Sequence, residues 1–243
     1  MSQGGWRSQE SARFYSASAG TKPSFRDRRD AGRVLAAAIR AQVDLAGAPV
    51  VLALPRGGLP VAYEVSAGLN APLDVCVVRR VEIPNTGGIL NLALADGRIV
   101  LSESRQAQAS AMTEKALARI VQKEGREIGR REKAYRGDHS ELRIAGRRVI
   151  LVDDGLASPE AFVAAIAAVR ARGAAGVVVA VPVAASSSYR QLRAIVDELV
   201  CLELPSPFHG IAASYEDFSE VSDLDVRCLH DAARIRARRE LLD

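Results

Sequence analysis

The chain has 243 residues, of which 48% are hydrophobic but only 5% aromatic, and its formal net charge is +4. This length accommodates one large domain or two small ones, and a core rich in Ala, Val and Leu is usual for helices packed on a parallel sheet. Because acidic residues accompany the basic ones nearly everywhere, the charge gives only weak support to general binding of nucleic acid over the protein surface. It fits a surface for anionic small molecules equally well.

Cysteine content and hydropathy indicate the cellular setting. The three cysteines, Cys76, Cys201 and Cys228, are odd in number and lack metal-ligand spacing, which favours a reducing, cytoplasmic environment. No apolar run is long enough to span a membrane. Residues 1–24 are rich in Ser, Gly and Ala and lack the apolar centre of a signal peptide, so they predict a disordered tail before a domain at 25–243.

Apolar spacing predicts alternating helices and strands from Phe25 onward. A helix over "FRDRRDAGRVLAAAIRAQVDL" precedes the buried strand "APVVLALP", and a second helix ending near Asn70 precedes the strand "LDVCVV". The next segment predicts a hairpin or short strands around residues 96–97. A long charged helix follows over about residues 111–135.

The second half of the chain repeats this alternation. The strand "GRRVILVDDG" is followed by a helix over residues 159–172, the strands "GVVVAVPV" and "ELVCLEL", and a last helix that starts at Ser222 or Asp223. This order predicts an α/β fold with a doubly wound, mainly parallel sheet flanked by helices. Ligands bind such sheets at the carboxyl ends of the strands, which selects two turns, "LPRGG" and "VDDGLASPE".

The first of these turns places an arginine and two glycines between a strand and a helix. Glycine permits positive φ and close backbone approach, and successive N–H groups there form an anion nest. Arg56 offers a bidentate contact to a phosphate. A plain strand-to-helix turn with a solvated arginine explains the same residues equally well.

The second turn begins with two adjacent acids, Asp153 and Asp154, at the end of a buried strand. Paired carboxylates at this place suit hydrogen bonds to vicinal ribose hydroxyls, or a Mg²⁺ ion held directly or through water. The structural alternative is that one aspartate caps a neighbouring element while the other is solvated. We favour the functional interpretation because both acids end the same buried strand.

These motifs resemble those of the phosphoribosyltransferases. That family carries an acidic pair after a hydrophobic strand, and a loop of the form Thr-Gly-Ala/Ser-Thr then wraps the 5-phosphate of phosphoribosyl pyrophosphate. Here "VILVDDGLA" looks like the first half of that motif and "LALPRGG" resembles the pyrophosphate loop, while "FRDRRDAG", "VVVAVPVA" and "YEDFSEVSD" are similar to a bacterial subgroup. The resemblance covers roughly residues 25–226 and implies the phosphoribosyltransferase fold, with a small hood beside the sheet.

The resemblance also implies a role for each turn. Arg56 would stabilise the departing pyrophosphate, Asp153 and Asp154 would orient the ribose with Mg²⁺ as cofactor nearby, and residues 157–161 would cradle the 5-phosphate. The residues implied in ligand contact are Pro55, Gly57, Gly58, Arg79, Arg80, Gly155, Leu156, Ala157, Ser158, Glu160 and Ala161. A homodimer is implied as well. The stretch after Arg80, "VEIPNTGGILNLALADG", departs from the subgroup's pattern, so the acceptor base is not implied.

The phosphate loop itself departs from the family, because Ser158, Pro159, Glu160 and Ala161 stand where Thr-Gly-Ala-Thr is expected. Proline offers no N–H donor, and a hydrogen bond to a charged group contributes roughly 1.5–3 kcal/mol. Glu160 adds a like charge. Together these changes predict phosphate binding weakened by about 3–5 kcal/mol, or about 10²–10⁴-fold. The same residues make a good helix start, with Ser158 as the N-cap, proline at the next position and the protein's own acid in place of the ligand's anion.

Two functions follow from this pattern. The first is a phosphoribosyltransferase that binds phosphoribosyl pyrophosphate or a nucleotide-like ligand, with an activity that the loop weakens or abolishes. The second is a non-catalytic regulatory module on the same fold that binds a protein or RNA. The basic runs "KEGREIGRREKAYRG" and "RIRARRE" are the features that suggest RNA, although without interleaved aromatic residues each is usually a solvated helix face.

Overall fold

The computed structural model describes residues 23–82, 89–95, 98–101 and 114–239. Its helices are α1 (Arg28–Gln42), α2 (Gly58–Leu69), α3 (Glu114–Arg136), α4 (Glu160–Ala171), α5 (Ser186–Arg193) and α6 (Asp223–Arg239), with a short 3₁₀ helix at Ile211–Ser214. Its strands are β1 (Val50–Ala53), β2 (Leu73–Val75), β3 (Val78–Glu82), β4 (Ile89–Ala95), β5 (Arg98–Leu101), β6 (Arg148–Val152), β7 (Gly176–Val183) and β8 (Glu198–Glu203). None of the described helices is both long and apolar enough to cross a membrane.

Five strands form a parallel sheet in the order β2-β1-β6-β7-β8. Alternate residues of β1, β6, β7 and β8 enter two separate apolar clusters, one on each face of the sheet. Val51 and Ile150 pack with α1 and α2 on one face, whereas Leu52 and Leu151 pack with α4 on the other. Helices on both faces explain why these strands consist of unbroken apolar runs. The predicted α/β fold with a mainly parallel sheet is therefore confirmed.

A second, three-stranded antiparallel sheet has the order β3-β4-β5 and contacts α4. The strands on either side of residues 96–97 pair with each other, which confirms the antiparallel strands predicted there. This small sheet stands where the sequence predicted a hood. Residues 96–97 themselves lie outside the described residues, as do residues 1–22 of the predicted tail.

The chain reverses its direction of travel across the parallel sheet at β1, which positions the candidate site. From β1 it moves outward to β2, and after α3 it returns to β6 on the opposite side of β1. The carboxyl ends of β1 and β6 therefore flank a topological switch point, where ligands bind on open α/β sheets. Both turns singled out in the sequence follow these two strands.

A segment near the C-terminal end of the chain closes over the same region. Tyr215 forms a parallel bridge with Phe25, and the N–H groups of Glu216 and Asp217 donate to the carbonyls of Phe25 and Arg26 at 2.8 Å each. The segment then leads into α6 through a reciprocal cap. Ser222 Oγ accepts from the Asp225 N–H at 3.1 Å while the Asp225 carboxylate accepts from the Ser222 N–H at 2.9 Å, which confirms the predicted start of this helix.

Candidate ribose-phosphate site

The turns after β1 and β6 are in direct contact. The Leu54 N–H donates to the Val152 carbonyl at 2.9 Å, which continues the strand pairing into the turns. A Cβ added at Gly57 would lie 2.1 Å from Asp154 Oδ2, and one added at Gly58 would lie 2.8 Å from Asp153 Cα. The two glycines are thus required because the turns pack closely against each other and leave no room for a side chain. This requirement holds whether or not the glycine N–H groups also bind an anion. The peptide bond between Pro55 and Arg56 is cis.

Asp154 is buried at the centre of this contact. Its side chain is 11% exposed, and its Oδ2 accepts from Arg28 Nε at 2.8 Å. Its carbonyl oxygen accepts from the buried Tyr215 hydroxyl at 2.6 Å. Burial raises the pKa of the Asp154 carboxyl, and the Arg28 guanidinium opposes that rise. Asp154 is therefore held on both its side chain and its main chain.

Arg28 was not singled out by the sequence, although it begins α1 and reaches Asp154 from 126 residues earlier in the chain. Besides binding Asp154, its NH1 group donates to the Ser219 carbonyl at 2.8 Å. Its guanidinium carbon lies 3.7 Å from the centroid of the Phe218 ring. The only sequence signal was the stretch "FRDRRDAG", which the family resemblance noted without giving a role to any arginine in it.

Asp153 is half-buried and, in the part of the chain that the structure describes, forms no ion pair with an arginine or lysine. Its Oδ1 accepts from the Asp154 N–H at 2.8 Å. Burial, and then the negative charge of Asp154, raise the pKa of the Asp153 carboxyl well above its usual range. The two acids thus differ in kind, since Asp154 is neutralised by a fixed cation and Asp153 is not.

The expected phosphate loop begins as a continuation of the sheet. Leu156 forms a parallel bridge with Ala184, and its N–H donates to the Val183 carbonyl at 2.8 Å. The Ala157 carbonyl then accepts from the hydroxyl of the buried Ser188 at 2.8 Å. A Cβ added at Gly155 would lie 2.7 Å from the side chain of Ile211. Gly155 and Leu156 therefore shape the turn through their packing and pairing.

The predicted helix start needs a correction of one residue. Ser158 is not the N-cap, because α4 begins at Glu160 and Pro159 is the N-cap, with helical dihedral angles of −81° and −14°. The Pro159 carbonyl accepts from the Val163 N–H at 2.9 Å. Proline can occupy this position because its fixed φ suits the helix and its missing N–H would have no partner there.

The structure also gives no support to the idea that the Glu160 carboxylate replaces a ligand's anion. Glu160 lies in the first turn of α4 and is half-buried. Within the described ranges, the N–H groups of Ser158, Glu160 and Ala161 donate to no protein acceptor, neither Glu160 nor a carbonyl. These donors are the orphan groups of a helix N-terminus, which favour an anion.

The three arginines named from the sequence have different surroundings. Arg56 is 43% exposed at its side chain and pairs with the exposed Glu220 at 2.9 Å. Arg79 donates from both Nε and NH2 to Glu124 of α3, at 3.1 and 3.0 Å, so it ties β3 to that helix. Arg80, its neighbour on the strand, is exposed. Of the neighbours Arg79 and Arg80, only Arg80 is thus without a close carboxylate partner among the described residues.

The donor set at the acidic pair limits how Mg²⁺ could bind. Among the described residues no group of three or more His, Cys, Asp or Glu side chains could hold a metal ion. Asp153 and Asp154 are the carboxylates on offer, and Arg28 already engages Asp154. Because Mg²⁺ is commonly held by one or two carboxylates together with waters and substrate phosphates, these residues fit an ion that arrives with a phosphorylated ligand.

The fold and the site together define an α/β protein with an acidic pair and a glycine turn at the switch point of a parallel sheet. The model of the phosphoribosyl transferase domain family matches residues 27–217. The chain belongs to this family.

Named relatives agree with this assignment. Two Mycobacterium tuberculosis proteins assigned by name to the phosphoribosyl transferases, MT0597 of strain CDC 1551 and Rv0571c of strain H37Rv, are each 35% identical over 210 residues. Those residues are 86% of this chain but 47% of each relative, so the chain spans about half the length of these relatives. The crystal structure of TT1426 from Thermus thermophilus is 37% identical, with a TM-score of 0.73, over 85% of this chain and 97% of TT1426.

Proposed function

We propose that the chain binds a ribose-phosphate ligand, phosphoribosyl pyrophosphate or a nucleotide-like molecule, in the crevice between the turns after β1 and β6. The observation that carries this proposal is the set of N–H donors at Ser158, Glu160 and Ala161, which have no acceptor among the described residues and lie five to eight residues after Asp153. Free N–H groups favour a phosphate, and a carboxylate favours the hydroxyls of the attached sugar.

Each end of the crevice would contribute one contact to such a ligand. Asp153 would accept hydrogen bonds from ribose hydroxyls, and it is the carboxylate that would reach a Mg²⁺ ion bound to the ligand's phosphates. Such an ion would neutralise phosphate charge. Arg56 would hold the pyrophosphate end after releasing Glu220. These residues act by orienting the ligand and by placing positive charge where a leaving group becomes negative.

We further propose that transferase activity is weak or lost. Pro159 interrupts the row of N–H donors, and the first turn of α4 carries the acidic Glu160 beside the expected phosphate. Each change lowers affinity for a dianion, by the loss of one donor and by like-charge repulsion. The orphan donors on either side of Pro159 nevertheless support residual binding.

Binding to RNA receives less support. Arg130 and Arg131 of α3 both donate to Glu127, at 2.8 Å from each Nε, so this carboxylate offsets part of the charge of the basic run within the helix. The pairing reduces the charge that these two arginines offer to a phosphate backbone. A gel shift at low salt is expected to show no complex, and a salt-sensitive shift would contradict this expectation.

Calorimetric titration tests the proposal with Mg²⁺-phosphoribosyl pyrophosphate and with ribose 5-phosphate. We expect dissociation constants well above the micromolar range for the natural chain. The double substitution Pro159→Gly with Glu160→Ala should tighten binding of both ligands by about tenfold or more, since it restores one donor and removes one charge. Glu160→Gln is the matched control, because it removes the charge without changing the backbone.

Two outcomes would contradict the proposal. Micromolar binding by the natural chain would show that the loop is not impaired. Unchanged affinity in the double variant would show that residues 158–161 do not receive the phosphate at all. If Glu160→Gln gains part of the affinity that the double variant gains, that part is due to the charge of Glu160 and the rest to the restored N–H donor.

A further inference from the structure

We propose that Arg28 is a positioning residue that fixes Asp154 against the glycine turn, leaves Asp153 as the carboxylate that faces the ligand, and does so only while residues 215–220 are docked. We call residues 215–220 the closing segment. The part of this inference that concerns the ligand rests on the proposed function, whereas the part that concerns the closing segment rests on contacts within the chain.

The carboxylate of Asp154 is engaged by contacts within the protein. Its carboxylate lies against Gly57, where only the absence of a Cβ leaves room for it, and Arg28 holds the same oxygen at 2.8 Å. Both partners of this pair have side chains that are 11% exposed. A buried ion pair of this kind is costly to open, because either charge left alone would lack compensation. Asp154 is therefore poorly placed to exchange Arg28 for a sugar hydroxyl.

Arg28 also binds the closing segment. Its NH1 group binds the Ser219 carbonyl, and its guanidinium covers the Phe218 ring. Phe218 in turn packs on Tyr215, with ring centroids 5.1 Å apart, and Tyr215 packs on Phe25 at 5.5 Å. Arg28 thus lies at one end of a row of three aromatic rings that anchors the segment to the start of the domain.

The Arg28 guanidinium links Asp154 to the closing segment. A single planar guanidinium bonds the acid, the carbonyl and the ring at once, so its orientation toward Asp154 depends on the segment being in place. Tyr215 strengthens this dependence, because its hydroxyl donates to the carbonyl of Asp154 itself. Undocking of the closing segment would therefore release Asp154 and disturb the neighbouring Asp153.

Arg28→Lys is the variant that tests this coupling. Lysine keeps a positive charge for Asp154, so the chain should fold, but its ammonium lacks the planar fork that also reaches Ser219 and covers Phe218. Arg26→Lys is the matched control. Arg26 is two residues away, is 71% exposed, and pairs through its side chain with Asp30. Phe218→Leu removes the ring from under Arg28 while keeping both the guanidinium of Arg28 and the carboxylate of Asp154.

Hydrogen exchange of the 243-residue chain without added ligand measures the closing segment directly. We expect amide exchange at residues 216–219 to accelerate about tenfold or more in Arg28→Lys and in Phe218→Leu, and to change by less than about twofold in Arg26→Lys. Equal exchange in Arg28→Lys and the natural chain would overturn the inference, because a plain positive charge would then suffice to hold the segment.

Ligand affinity provides the second measurement, taken on the same proteins with Mg²⁺-phosphoribosyl pyrophosphate. We expect Arg28→Lys to weaken binding by about tenfold and Arg26→Lys to leave it unchanged. A loosened segment with unchanged affinity would overturn the positioning role. If the natural chain binds neither this ligand nor ribose 5-phosphate, the proposed function fails, and hydrogen exchange alone still decides whether Arg28 holds the segment.

Discussion

Two arginine–carboxylate pairs lie at the candidate site and differ chiefly in burial. Arg28 and Asp154 meet at 2.8 Å with both side chains 11% exposed, whereas Arg56 and Glu220 meet at 2.9 Å with side chains 43% and 79% exposed. Exposed pairs contribute little because water and salt screen them, while a buried charge depends on its partner. The first pair therefore belongs to the architecture of the candidate site, and the second is the one that a ligand's anion would displace under the proposed function.

The largest expected effect comes from breaking the buried pair. Asp154→Ala leaves the Arg28 guanidinium buried without a carboxylate, which typically costs about 3–5 kcal/mol. Glu220→Ala removes the carboxylate of the exposed pair and should cost less than about 1 kcal/mol. Urea unfolding of both variants measures the contrast as a difference in the free energy of unfolding. Equal losses in the two variants would contradict the assignment of the two pairs.

A smaller effect is expected from crowding the buried pair without removing it. Gly57→Ala places a methyl group 2.1 Å from Asp154 Oδ2, which Arg28 prevents from moving aside freely. Overpacking of this kind costs about 1–3 kcal/mol. Gly129→Ala in α3 is the matched control, since apart from its own helix backbone no described residue lies within 4 Å of its added Cβ, and it should stabilise the helix by about 0.5–1 kcal/mol. Thermal unfolding midpoints that fall in both variants would contradict this account of Gly57.

Much of the fold could be predicted because its signals are local. Unbroken apolar runs predicted the buried strands, and the position of Asp153 after one of them placed the acids at the carboxyl edge of the sheet. The glycines at 57 and 58 also predicted a tight turn. Their structural reason, contact with the opposite acidic turn, required knowing that β1 and β6 are neighbours.

The contacts that organise the site could not be predicted in this way. Arg28 is 126 residues from Asp154 along the chain, and Tyr215 is 61 residues from it. On its own helix Arg28 is one of many polar residues, and only the tertiary fold distinguishes it from Arg29. The error at Ser158 was different in kind, because serine is a favoured N-cap and the following proline took that position instead.

Asp153 forms no ion pair with an arginine or lysine among the described residues, and the pH dependence of stability tests what this carboxylate costs the fold. The pKa of Asp153 is raised in the folded chain by burial and by Asp154. The folded state therefore retains a proton that the unfolded state has lost, so stability falls as pH rises from about 4 through the folded-state pKa. Asp153→Asn should remove this loss and make the chain more stable near neutral pH, as expected for a functional site that is not optimised for stability.

Urea unfolding between pH 4 and pH 8 measures this effect, with Asp217→Asn as the control of opposite sign. Hydrogen bonds from Ser219 lower the pKa of Asp217, so its ionised form stabilises the folded chain. That contribution is present above the unfolded-state pKa and is lost as pH falls through the folded-state value. Asp217→Asn should therefore reduce stability near neutral pH. A pH profile of Asp153→Asn that parallels the natural chain would show that Asp153 is not destabilising.

The smallest expected effect concerns the exposed pair of Arg56 and Glu220, in which Glu220 competes with an anion for Arg56. Glu220→Ala frees the Arg56 guanidinium, so pyrophosphate should bind about two- to fivefold more tightly, in keeping with the small energy of an exposed pair. Glu216→Ala is the matched control, because Glu216 is an exposed acid of the same segment that forms no ion pair with Arg56. The gain should shrink as salt is raised, since added ions screen both the pair and the ligand. A gain of equal size in Glu216→Ala would show that the segment's overall negative charge, and not the contact with Arg56, limits access of the anion.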